Sequence, residues 1–265
     1  MLYQNKDYLV ESFIVQGKTA RQISEELGVS KSTIEQWLQR FNLYGIKPRT
    51  KYTLNRERIT PCPEMYYYIG LITTDGYIDN RNNRVSIRMR NEGTEELLNN
   101  LKDYFEFNGS VRLYKEKDYD LTMTSKDLIN FMASLGIYGT KKTYTVTVPN
   151  TFPNRECVLL YLRGILDGDG NIHLFKDKDG NLKGGNFRLV TGSLELMEGI
   201  KKLLNDYLDI DTPIKEHHIK DKKYPMIDLG MSDSRKFYRE IYKGYEKFRL
   251  SSKFLKAKQV VNDIV

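Results

Sequence analysis

Two aspartates stand at the same place in two stretches of this chain that align with one another. MYYYIGLITTDGYI ends at Ile78 and LLYLRGILDGDGNI at Ile172, and without a gap Gly70 falls on Gly164, Asp75 on Asp169 and Gly76 on Gly170. The small residues Gly70 and Thr74, or Gly164 and Gly168, lie four apart, so on a helix they share a face that lets two backbones approach closely. If the helices pack through those faces, Asp75 and Asp169 meet at their C-terminal ends, where both helix dipoles are negative and two carboxylates repel. A hard divalent cation with oxygen ligands, Mg²⁺ above all, answers that charge, and metal-assisted phosphodiester hydrolysis is the chemistry such a pair serves. A single Asp-Gly step would mean only a turn after a helix. Two of them, each closing a small-residue helix face, point to a paired metal site. A calcium loop starting at DGDGN is excluded, because Ile172 stands where that loop needs glycine and Lys178 where it needs glutamate.

The elements that must position these acids repeat as well. VSIRMRNEGTEELLNNLKDYF (85–105) aligns with FRLVTGSLELMEGIKKLLNDYL (187–208), and YDLTMTSKDLINFM with PMIDLGMSDSRKFYREIY, a strand followed by an amphipathic helix each time. The fold class is therefore α+β: two αββαββα halves, at 65–148 and 149–265, related by a pseudo-two-fold axis as a saddle. Four hairpins are expected at 77–90, 111–124, 171–190 and 213–226. Together they carry 15 basic and eight acidic residues, so the whole formal excess of +7 falls in them and the rest of the chain is neutral. That is the distribution that counterion release from a nucleic acid requires. Alternation in RVSIRMR puts Arg84, Ser86, Arg88 and Arg90 on a wet face and Val85, Ile87 and Met89 on a dry one. Arg84, Arg88 and Arg90 are candidates for guanine or phosphate contacts, and Arg188, Lys215, Lys220, Lys222 and Lys223 for a second half-site. His217 and His218 lack the neighbours of a metal site and are expected at the surface or groove.

Residues 1–46 are expected to form a small all-α domain of three short helices. Gly28 breaks the chain after Ala20, Ile23 and Leu27; Ser30 caps a helix whose Ile34, Trp37, Leu38 and Phe41 make one apolar face. The opposite face carries Lys31, Ser32, Thr33, Gln36 and Arg40, with Glu35 to the side. Such a face can approach base edges and phosphates, and TARQISEELGVSKSTIEQWLQRF resembles the helix-turn-helix of resolvases and many repressors. Residues 47–64 contain three prolines and are rich in Lys and Arg without either periodicity, which predicts an extended basic tether along phosphates.

Composition excludes other classes. The 265 residues contain no apolar run near the ~20 needed to span a bilayer, and 40% hydrophobic residues with 19 Tyr exclude disorder. The N-terminus shows no signal peptide, and Cys62 and Cys157 form neither a CxxC nor a Cys/His cluster, so a reducing cytoplasmic location, in association with DNA, is expected.

The segments YIGLITTDG and LRGILDGDG resemble the paired dodecapeptide motifs of LAGLIDADG homing endonucleases of the monomeric two-motif type, over about residues 65–260. The resemblance implies a site-specific, Mg²⁺-dependent double-strand DNA endonuclease that leaves 3′ overhangs, acting as a monomer on a long asymmetric target. It also implies that Asp75 and Asp169 are the metal-binding catalytic acids, assisted by the main-chain carbonyls of Thr74 and Gly168. Thr73 departs from the motif where the second copy keeps Asp167, at a position that does not bind metal, and is tolerated. A basic residue near the scissile phosphate in each half would be Lys142, with Lys141 as its rival, and Lys253. Two other readings stand beside this one. One is a non-catalytic transcriptional regulator like WhiA, which combines a degenerate core with a helix-turn-helix; against it, both acids survive and the helix-turn-helix precedes the core. The other is a maturase acting on intron RNA.

Overall fold

The computed structural model describes residues 1–44, 52–139 and 142–261, the side chains of residues 142 and 143 apart. It divides into two compact units, Met1–Lys51 and Tyr52–Val265. In the first, α1 (Lys6–Leu9) continues into a wider helical segment at Val10–Val15, followed by α2 (Ala20–Leu27) and α3 (Lys31–Arg40). A capping box starts α2: the Gln22 amide donates to the Thr19 hydroxyl at 3.2 Å and the Thr19 amide to the Gln22 side chain at 2.8 Å. Gly28 ends it at φ +65°, a left-handed position that suits glycine, and Ser30 caps α3 by accepting from the Thr33 amide at 3.1 Å. Leu9, Phe13, Ala20, Ile23, Ile34, Leu38 and Leu43 are its core.

The second unit runs α4 (Pro63–Asp75), β1 (Gly76–Asp79), β2 (Arg84–Met89), α5 (Thr94–Tyr104), β3 (Arg112–Tyr114), β4 (Asp118–Thr124) and α6 (Lys126–Ser134). After the short α7 (Lys142–Thr145) the order recurs as α8 (Arg155–Asp167), β5 (Asn171–Lys176), β6 (Leu182–Val190), α9 (Leu194–Leu208), β7 (Lys215–Ile219), β8 (Lys222–Asp228) and α10 (Met231–Ile241), closed by α11 (Ser251–Val260). The expected duplicated α+β architecture is thus observed, with two antiparallel four-stranded sheets ordered β1-β2-β4-β3 and β5-β6-β8-β7. Val85, Ile87 and Met89 of β2 and Leu121 and Met123 of β4 are buried, while Arg84 and Arg88 are exposed on the other face. The single shared core contains both motif helices, which are buried nearly all round from Met65 to Thr73 and from Cys157 to Asp167. A helix apolar on every side must occupy the middle of a fold.

Each half also sends a segment onto the other. Following α6, the Val146 carbonyl accepts from Ser193, the cap of α9, at 2.7 Å. Following α10, the Lys247 carbonyl accepts from Asn100 of α5 at 3.0 Å, and Ser251 donates to Glu96 at 3.2 Å.

One expectation fails here. Residues 52–62 are no extended tether: the Asn55 amide donates to the Phe105 carbonyl at 2.8 Å, the Thr53 amide to Asn108 at 2.8 Å, and Leu54, Ile59 and Cys62 pack on the core. Their apolar residues are too irregularly spaced to show a period, yet burying them against α5 is favourable. Residues 47–51 of the expected tether lie outside the described residues.

Candidate active site and nucleic-acid interface

The contact between α4 and α8 is backbone to backbone. A β-carbon added to Gly70 would fall against the Tyr161 carbonyl and within 2.9 Å of the Gly164 Cα; one added to Gly164 would fall against the Tyr67 carbonyl and within 2.9 Å of the Gly70 Cα. One turn further on, a β-carbon on Gly168 would strike the Thr74 hydroxyl and lie 3.2 Å from Asp75 Oδ2. The acid ends of the two helices therefore adjoin, Asp75 half-buried and Asp169 exposed. They open onto different surroundings. Asp75 borders a concavity of ≈ 600 Å³ walled by Arg84, Arg88, Arg112 and Asp120, whereas Asp169 borders one of ≈ 380 Å³ walled by Thr74, Val190, Ile219 and Tyr224.

Lys253, in the first turn of α11, reaches the same place. Its ammonium donates to the carbonyls of Leu166, Asp167 and Gly168 at 2.7, 2.8 and 2.6 Å, closing the C-terminal end of α8. Burial lowers its pKa below the usual lysine value, opposed by the charges of Asp167, Asp75 and Asp169. Lys253 is thus within electrostatic reach of both acids. The Gly168 carbonyl, expected to assist a metal, accepts one of these bonds, and a carbonyl oxygen carries a second lone pair. Thr74 turns its hydroxyl back to the Gly70 and Leu71 carbonyls at 3.2 and 3.1 Å. Lys142 begins α7, its side chain lying outside the described residues, as does Lys141 altogether.

Two residues that sequence reasoning passed over hold Lys253 in place. Arg163 is completely buried, and its guanidinium donates to five main-chain carbonyls, those of Ile241, Lys243, Gly244, Tyr245 and Phe248, at 2.6–3.2 Å. One turn along α8, the buried Asp167 accepts from the Tyr67 hydroxyl at 2.7 Å, the Leu250 amide at 2.8 Å and the Tyr242 hydroxyl at 3.3 Å. Burial pushes its carboxyl above the usual value, against the pull of Lys253, Tyr67, Leu250 and Arg163. Together they pin residues 241–250, from which α11 departs. The available signal was the interruption of an apolar helix by Arg163 and Asp167 where the first copy has Ile69 and Thr73.

The sheet faces away from the helices hold most of the expected nucleic-acid contacts. Arg84, Arg88 and Arg90 lie there, each with a carboxylate: Asp79 at 3.3 Å, Asp120 at 3.5 Å and Asp118 at 2.5 Å. Arg188 pairs with Asp228 at 2.8 Å; its buried Nε and the Asn186 Oδ1 have no hydrogen-bond partner among the described residues. Lys215 and Lys222 share that face by register, and Lys220 sits in the β7–β8 turn at φ +54°. Lys223 does not belong with them. Strand alternation puts it on the side of the buried Ile227, where it pairs with Glu216 at 2.8 Å. In the first unit Lys31, Ser32, Gln36 and Arg40 are exposed and Thr33 half-buried, but Glu35 returns to that face to pair with Lys31 at 3.0 Å, as residues four apart on a helix can. Ser32 and Thr33 contact the Ser30 hydroxyl at 2.8 Å, and the Arg40 guanidinium lies 4.8 Å from the Trp37 ring centre.

Residues 156–242 match the LAGLIDADG-like domain family, and residues 9–49 the homeodomain-like domain family. Residues 156–242 carry a LAGLIDADG-like domain. The helix-turn-helix reading of the first unit stands with it. A replication factor C small subunit of Methanocaldococcus jannaschii is 24% identical over 111 residues, 41% of this chain but only 6% of that protein. Among solved structures, the homing endonuclease I-WcaI bound to its DNA recognition sequence aligns at TM-score 0.49 and 18% identity, over 69% of this chain and 80% of that one. Full-length DUF199/WhiA from Thermatoga maritima aligns at 0.48 and 17%, over 82% and 64%. Both are distant likenesses, and the activity of this chain turns on its own residues. No helix among the described residues is long and apolar enough to cross a membrane.

Proposed function

We propose that this chain is a site-specific double-strand DNA endonuclease that hydrolyses phosphodiester bonds with Mg²⁺, leaving 3′ overhangs. The observation that carries the reading is the adjoining of the two acid ends through the Gly70–Gly164 contact, with Lys253 in reach of both. The donors fit a hard divalent ion: Asp75 and Asp169 offer carboxylate oxygens beside the Thr74 main chain. Such an ion, when bound, supplies Lewis-acid stabilisation to the scissile phosphate and the leaving 3′ oxygen. Asp75 and Asp169 would hold it and orient water, one for each strand. Lys253, and Lys142 in the other half, offset negative charge that develops on the phosphate. The arginine-bearing sheet faces hold the duplex, and α3 of the helix-turn-helix extends the recognised site.

A second reading, a DNA-binding regulator without nuclease activity, is favoured by one feature: Lys253 already caps the Gly168 carbonyl and places a built-in cation among the acids. One experiment separates them. Duplexes selected by binding from a randomised library are incubated with the full chain in Mg²⁺ and in EDTA, alongside Asp75→Asn and Asp169→Asn. The nuclease reading expects Mg²⁺-dependent cutting that each substitution abolishes on at least one strand. Tight binding with neither cutting nor nicking establishes the regulator.

A further inference from the structure

The arginines of the two sheets differ in how they are held. In the first half, three guanidinium heads stand over three carboxylates of much lower exposure: the side chains of Arg84, Arg88 and Arg90 are 46, 49 and 73% exposed, and those of Asp79, Asp120 and Asp118 13% each. Arg90 shows the arrangement most clearly, giving its Nε and Nη2 to the two oxygens of Asp118 at 2.5 and 3.2 Å. Arg88 is opposite Asp120 in the β2–β4 register, and its guanidinium also lies 4.0 Å from the Tyr114 ring centre. Asp79 is itself fixed by the Arg81 and Asn82 amides at 3.1 and 3.2 Å. The second half has a single such pair on its corresponding face, Arg188 with Asp228, and its neighbours there are Asn171, His173, Asn186 and Tyr224.

A guanidinium has five N–H donors in a planar fork. A carboxylate that takes one edge leaves the outer edge pointing outward with its rotamer already restricted, so less side-chain entropy remains to be lost on binding. The base whose major-groove edge offers two acceptors to such a fork is guanine, through O6 and N7. The carboxylates, far less exposed than the guanidiniums they pair with, act as supports.

We infer that Arg84, Arg88 and Arg90, held from below by Asp79, Asp120 and Asp118, read guanines, so that the first half recognises a guanine-rich half-site and the second half a half-site with one arginine-read guanine. The inference rests on the DNA-binding reading above and specifies the substrate of that same surface. Arg84, Arg88 and Arg90 determine specificity, and the three aspartates position them.

The test is repeated selection of randomised duplexes by the full chain in EDTA, followed by selection with Arg84→Ala, Arg88→Ala, Arg90→Ala, Arg188→Ala and the isosteric Asp118→Asn and Asp120→Asn. Thermal unfolding of each variant confirms that it folds. The expected outcome is three guanine positions on one side of the site, each relaxed by one arginine variant, and one on the other side relaxed by Arg188→Ala. Asp118→Asn and Asp120→Asn should weaken preference for guanine about tenfold at the positions read by Arg90 and Arg88, leaving other positions unchanged. A bound site without those guanines, or aspartate variants that lower affinity equally for all sequences, overturns the inference while leaving DNA binding intact. A chain that selects no duplex overturns the DNA reading and this inference with it.

Discussion

Helices α4 and α8 meet one another through matching glycine faces, yet they are anchored by different means. At its C-terminal end α4 is locally satisfied: Thr73 donates to the Ile69 carbonyl of its own helix at 2.8 Å, and Ile69 is an ordinary core side chain. The equivalent residues of α8 are Arg163 and Asp167, which reach across 75 or more residues of sequence to hold 241–250. Tyrosines show the same contrast. Tyr67 donates to Asp167 at 2.7 Å, whereas its counterpart Tyr161 faces Thr73 and makes no hydrogen bond of ordinary geometry. A duplicated core can thus keep one shared contact symmetric while each copy supports its acid differently: α8 gains a buried polar network that presents Lys253, at the expense of exposing that half to large losses when the network is broken.

The most severe break should come from Arg163. Arg163→Met removes the donors of five carbonyls, two of those bonds fully buried, and is expected to cost about 3–5 kcal/mol in urea unfolding, whereas Ile69→Met at the equivalent place in α4 should cost less than about 1.5 kcal/mol. Equal losses would remove the distinction between the helices. Next, Lys253→Met should reduce cutting about 100-fold, roughly 2.7 kcal/mol of transition-state stabilisation, measured by single-turnover cleavage on the selected duplex. Loss of both strands' cutting in parallel would show that Lys253 serves the two acids jointly, and accumulation of a nicked product that it serves one. The shared contact offers a control on symmetry. Gly70→Ala and Gly164→Ala each place a methyl against a facing carbonyl, and both should lose about 1–3 kcal/mol of stability by overpacking, to a similar extent.

The smallest effect concerns pH. Burial raises the folded-state pKa of Asp167 above 3.8, so between 3.8 and the raised value the folded protein binds the extra proton. Its contribution to stability is then present at low pH and falls as pH rises through that window. Asp167→Asn, which keeps acceptors for Leu250 and Tyr67, removes this dependence. The stability difference between wild type and variant, followed by thermal unfolding across pH, should shift in favour of the variant as pH rises; a flat difference would mean that the network pays no penalty for the buried charge.

Much of this arrangement was legible because it is periodic. The hairpins, the alternation of Arg84 and Arg88 with Val85 and Ile87, the capped α3 and the small-residue faces of α4 and α8 all follow from spacings within one element. Lys253 was placed by the family resemblance alone. The assignments that failed depend on which distant groups fill a site: residues 52–62 found an apolar seat on α5, and Lys223 took the opposite face from Lys222 beside Glu216. The role of Asp167 was not legible because its partners lie on α4 and beyond α10.

By itself the sequence determined that two helices of matched small-residue pattern would bring Asp75 and Asp169 to one place, and that two half-wet sheets would follow them, since helix and strand periods are local properties of the backbone. Tertiary structure alone decided which half carries the buried arginine network, that the sheet arginines rest on carboxylates of neighbouring strands, and that Lys253 closes α8. Those pairings join residues far apart in the chain, and only the closed core sets their distances.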